Sequence, residues 1–171
     1  MNLLQHFKFK RFKKELAEKA RVNGICSDWH QRILDAKSED DLLQLYIKGI
    51  DFSINTRWLT PKFMKEKFSE EVRHKYGVYV DEDVTLENPK IIILNGKCKC
   101  TAIWSDWHCG DVYVLDNSHA DLSVELCARI TVQTYDNSDI RATTDSTSKI
   151  FVYNYGGIIK TDGDVIIRDK H

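Results

Sequence analysis

The chain has 171 residues, 42% of them apolar, enough for one ordinary domain or two small ones with packed cores, which excludes wholesale disorder. Its 25 Lys and Arg stand against 26 Asp and Glu, and a net charge of −1 gives the chain as a whole no attraction for nucleic acid or an anionic membrane. No apolar run approaches the roughly 18 residues of a spanning helix, and Lys8, Lys10, Arg11, Lys13 and Lys14 fill the place of a secretory leader's apolar core. The expected compartment is therefore the cytoplasm, with Cys26, Cys98, Cys100, Cys109 and Cys127 as reduced thiols.

Residues 3–21 open the chain with Phe9, Phe12, Leu16 and Ala20 at helical spacing, and Lys8, Arg11, Lys14, Glu15 and Glu18 on the other side. This predicts an amphipathic helix packed on its own protein. Asn23-Gly24 ends it. Asp28 with Gln31 reads as a capping box opening a helix through Ala36. Ser38 with Asp41 opens the next, whose apolar face carries Leu42, Leu45 and Tyr46. Thr60-Pro61 opens a third, with Met64, Phe68 and Val72 on one face and Tyr76-Gly77 at its end. Short connections predict an antiparallel helical cluster over residues 1–77.

At Val78 the apolar period changes from helical to alternating. From Val112 onward, pairs spaced i, i+2 recur as Val112/Val114, Leu122/Val124, Ile130/Val132, Ile140/Ala142, Ile150/Val152 and Val165/Ile167. Corner residues recur as well: Asp116-Asn117-Ser118 returns as Asp136-Asn137-Ser138, and Gly156-Gly157 falls at the same interval again. A coil of about 20 residues with two short strands and two corners fits this spacing. The predicted fold is thus α+β, a helical region over 1–77 and a short β-solenoid over 78–171 with three or four coils. The alternative is an antiparallel β-sandwich, which also spaces strands at roughly 8–12 residues.

Few residues suggest chemistry. Cys98, Cys100, His108 and Cys109 have the ligand types for zinc, but a Cys-x-Cys pair on a strand suits burial equally well. The tetrapeptide Ser27-Asp28-Trp29-His30 returns as Ser105-Asp106-Trp107-His108; the first copy reads as a helix start and the second as a loop. That second copy, with Trp104, interrupts the strand pattern, making Trp104, Trp107 and His108 candidate anchors for a partner or a cap on the solenoid. Asp116, Asp136 and Asp145 read as turn-forming corners rather than calcium ligands, because the glycine-rich nonapeptide of calcium-binding rolls is absent. No nucleophile elbow, phosphate loop, zinc-protease helix or dinucleotide fingerprint occurs. No catalytic residue and no cofactor is expected.

Leu42-Leu43-Gln44-Leu45-Tyr46-Ile47-Lys48-Gly49-Ile50-Asp51-Phe52, Tyr76-Gly77-Val78-Tyr79-Val80-Asp81-Glu82, Asn88-Pro89 and Tyr135-Asp136-Asn137-Ser138 carry a resemblance covering roughly residues 26–160. In these segments the chain resembles a group of uncharacterised proteins encoded by gut Bacteroidales genomes, often in prophage-like or mobile regions. The resemblance implies a phage or mobile-element accessory protein and assigns a role to no residue. The functional expectation is a non-enzymatic binding or structural module with a protein partner. A carbohydrate-active hydrolase or lyase on a short solenoid and a zinc-binding protein are the alternatives. The last strand, Val165-Ile166-Ile167, is followed by a charged tetrapeptide with no covering helix, so a homodimer through that end is expected.

Overall fold

The change of period at Val78 marks a change of architecture. The computed structural model describes residues 3–170, with side chains from Phe7 onward; His6 and His171 lie outside the described side chains. The chain divides into two units, Met1–Tyr76 and Gly77–His171.

Among the described residues the first unit contains six helices: α1 (Leu3–Val22), α2 (Ser27–Asp35), α3 (Glu39–Lys48), α4 (Ile50–Thr56), α5 (Pro61–Lys67) and α6 (Glu70–Lys75). Two of the expected caps are present. Ser38 Oγ accepts from the Asp41 amide at 3.1 Å, and Thr60 caps α5 through the Phe63 amide with Pro61 in the first turn. The Asp28/Gln31 capping box does not form. Cys26 holds the N-cap position of α2, and Asp28 lies inside the helix, paired with Arg32 at 2.8 Å. The single helix expected after Thr60 is broken in two. Phe68 leaves the helix with φ −112° and ψ 133° and is buried edge-on against Phe12, at a ring separation of 5.3 Å. A T-shaped aromatic pair and full burial outweigh the hydrogen bonds lost at one helical break.

The second unit is a β-solenoid. Its strands are β1 (Val78–Val80), β2 (Asp83–Glu87), β3 (Ile91–Asn95), β4 (Lys99–Trp104), β5 (Cys109–Val114), β6 (His119–Val124), β7 (Arg129–Thr134), β8 (Asp139–Thr144), β9 (Lys149–Asn154), β10 (Ile158–Asp162) and β11 (Val165–Asp169). Odd strands form one sheet in the order β1-β3-β5-β7-β9-β11, and even strands form the other, β10-β8-β6-β4-β2. All neighbours are parallel, so the chain winds and the antiparallel sandwich is excluded. From β3 to β9 the register advances by a constant interval, as in Ile92↔Val112, Val112↔Val132 and Val132↔Val152. About four such turns are present.

Constant register turns the sequence repeat into vertical columns. Ile92, Val112, Val132 and Val152 stack in one, and Ala120 and Ile140 follow Cys100 in another, all fully or almost fully buried between the sheets. A coil cannot bury its own apolar face, so each coil's stability comes from its neighbours. The column Leu94-Val114 becomes polar higher up. There Thr134 Oγ1 donates to Asn154 Oδ1 at 3.1 Å, and Asn154 Nδ2 donates to Asp169 Oδ1 at 2.9 Å. The hydrogen bonds satisfy the polar groups that the column brings inward.

The expected interruption around Trp104 is absent. Lys99–Trp104 is a regular strand whose inward residues are Cys100, Ala102 and Trp104. The Trp104 indole fills the space left by Gly110, where an added Cβ would lie 2.5 Å from Trp104 Nε1. Its N–H donates to the Pro89 carbonyl at 2.7 Å, so the largest side chain of the core leaves no polar group unpaired.

Candidate functional site

Two rows of corners run along the solenoid, one after the odd strands and one after the even strands. On the first, Asp116 and Asp136 adopt the left-handed backbone that Asp tolerates. Each carboxylate accepts from a turn amide one coil back: Asp116 Oδ2 from Gly96 at 2.7 Å, and Asp136 Oδ2 from Asp116 at 3.0 Å. On the second row Asp145 accepts from the Leu126 amide at 2.8 Å and from the Thr147 and Ser148 amides. The Leu126 amide is the largest cause holding the Asp145 carboxyl far below the usual carboxylate range, with further hydrogen bonds from Ser148 and Thr147. These acidic corners are coil-to-coil staples, each carboxylate accepting from a backbone amide of the coil before it.

The second row has a different character at its two preceding corners, Ser105–His108 and Glu125–Ala128. Asp106 and Trp107 have φ of 53° and 65°; Leu126 and Cys127 have 54° and 67°. Positive φ at both central residues is what a type I′ turn demands, and Gly, Asn or Asp normally supply it. Trp107, Leu126 and Cys127 supply it here against the steric preference of a branched or bulky side chain. The two corners are neighbours, joined by the Trp107 amide donating to the Leu126 carbonyl at 3.2 Å. Trp107 is 76% exposed and Leu126 54%. Two strained corners on adjacent coils thus each expose one large apolar side chain, the indole of Trp107 and the isobutyl group of Leu126.

The three sequence-predicted partner residues separate. Trp104 is inside the core and offers no surface to a partner. Trp107 stands out from the edge, and His108 closes the same corner, its Nδ1 lying 2.6 Å from the Ser105 carbonyl. The proposed zinc ligands separate too. Cys98 and Cys100 lie in the core, Cys98 at the corner before β4 and Cys100 within it, whereas His108 and Cys109 are exposed beyond the opposite end of that strand. The length of β4 puts the two corners about 20 Å apart, and the four side chains do not converge. Burial pushes the Cys100 thiol up to about 12 and raises Cys98 as well.

The outer face of the even-strand sheet carries a charged cluster. His119 Nε2 lies 3.2 Å from Asp121 Oδ2, at the next outward position along β6, and His119 Nδ1 lies 3.4 Å from Asp139 Oδ2 on β8. Both carboxylates therefore turn to the same imidazole.

The exposure of Leu126 was not legible from the sequence. The available signal was the period: one coil after Asp106 comes Leu126, an apolar residue at a position where a tight corner calls for Asp or Asn. No family model, no curated protein and no solved structure matches the chain.

Proposed function

We propose that the chain is a non-enzymatic binding module in which the solenoid presents Trp107 and Leu126 to a protein partner. The observation carrying this reading is the exposure of both side chains at corners whose backbone disfavours them. Strain of this kind persists where a side chain is needed, because a glycine would fit the corner with less cost. Large apolar anchors on a rigid support lose little conformational entropy on binding, and Trp dominates the energetics of many interfaces.

The test compares immobilised wild-type chain with the Trp107→Ala/Leu126→Ser double variant in extracts of the native host. A protein retained in stoichiometric amount by the first and lost from the second, at equal melting temperature, supports the reading. Equal retention by both contradicts it.

The second partner we propose is another copy of the chain, docked at the last coil. The column Val112-Val132-Val152 is fully buried, whereas its next member, Ile167, is 44% exposed. Among the described residues β10 and β11 pair on one side only. Two such ends meeting about a two-fold axis close into a dimer instead of growing into a fibre. Light scattering at micromolar concentration is expected to give a dimer for wild type and a monomer for Ile167→Lys; a wild-type monomer contradicts it.

A further inference from the structure

We propose that the helical unit contains a binding site for a neutral aromatic molecule of about ten heavy atoms, an inference independent of the solenoid edge. A pocket of about 250 Å³ lies among α1, α2, α3 and α4 and the segments that follow α1, α4 and α5. Trp29, Leu45, Phe52 and Trp58 are its principal walls, and among the described residues no charged side chain lines it.

The cavity has marks of a built site. Gly49 stands between α3 and α4 with φ −107° and ψ 34°, a conformation that does not call for glycine. What an added Cβ would meet is the Trp29 ring, at 3.5 Å, so the missing side chain leaves one wall open. The Trp58 indole N–H is already spent on Ser53 Oγ at 3.1 Å. Trp58 and Phe52, both in the lining, are tilted at 52° with centroids 6.1 Å apart. Gly24 and Cys26 of its lining are exposed and Trp29, Leu45 and Phe52 half-buried, so the apolar pocket opens to solvent and a guest can enter it.

The lining selects the ligand. A carboxylate, phosphate or ammonium group carried into the pocket would lose hydration with no counter-charge from the lining, which favours neutral compounds. Ring-lined walls favour an aromatic guest through offset and edge-to-face contacts. A dry cavity of roughly 150 Å³ holds benzene. Scaled by volume, this one holds a fused bicycle, the size of naphthalene or indole.

The experiment titrates the full chain with naphthalene, indole, 1-naphthoate and n-octane, followed by calorimetry and by NMR shifts of pocket residues. Saturable one-to-one binding of naphthalene or indole is expected, at least tenfold tighter than 1-naphthoate or n-octane. Gly49→Leu fills the cavity and should weaken naphthalene at least tenfold while holding or raising the melting temperature. Gly49→Ala, which adds one methyl group against Trp29, should weaken it less and serves if the leucine variant fails to fold. Absence of aromatic binding to wild type while Gly49→Leu gains stability would identify a packing void and overturn the proposal. Equal affinity for 1-naphthoate or n-octane overturns the assigned ligand class.

Discussion

Single side chains in this chain are sorted by whether a column covers them. Cys98 and Cys100 have raised thiol pKa values because burial disfavours the thiolate, whereas Cys26 and Cys109 are exposed. Labelling the native chain with iodoacetamide at pH 8 should modify Cys26 and Cys109 promptly and spare Cys98 and Cys100 until denaturant is added; peptide mass mapping reads the difference. Asp145 has the opposite shift. Its folded carboxyl is held below the ordinary value of 3.8, so its contribution to stability is complete above that value and lost as pH falls through the folded one. Asp145→Asn should therefore melt below wild type at pH 7, with the gap narrowing as pH is taken from 4 towards 2. A gap independent of pH would mean that the carboxylate charge has no part in stapling the coils.

At the level of elements, what could be read in advance followed the chemistry of the repeat. Apolar pairs at i, i+2 marked β5 to β9 and β11, and the spacing of Asp-Asn-Ser gave the coil length, because a winding chain must return to a corner at a constant interval. β4 escaped notice because its inward residues are Cys100, Ala102 and Trp104, none of which carries the β-branched signal. It became a strand because the neighbouring coils supply the pairing partners. Ser38 and Thr60 were readable as caps, since their hydroxyls act on amides in the first turn of the helix each one opens. The break at Phe68 was not, because Met64, Phe68 and Val72 keep helical spacing straight through it; the contacts made there are tertiary, Phe68 with Phe12 and the Ser69 amide with Glu39. Phe68→Ala should consequently cost about 3–5 kcal/mol, typical of deleting a buried aromatic ring, measurable as a drop in the urea midpoint together with loss of helical signal. A cost under about 1 kcal/mol would show that the break has another cause.

For the whole molecule, two kinds of order coexist along the solenoid. The acidic corners are locally and globally consistent: Asp116 and Asp136 favour the turn they occupy and tie the coil before them. The Trp107 and Leu126 corners meet the global winding but violate the local preference, the pattern expected where function competes with stability. None of this edge was visible as a pair in the sequence, because its two members lie nearly a full coil apart and only the winding sets one corner above the other. On the proposed function the exposed indole is retained for contact with a partner, and the left-handed backbone beneath it is a standing penalty of roughly 1–2 kcal/mol, partly offset by the entropy a glycine would lose. The melting temperature of Trp107→Gly tests this most directly. A rise of about 1–3 °C is predicted, as strain is relieved where no packing is lost; a fall of several degrees would show that the indole holds the corner together and would contradict its role as a displayed anchor.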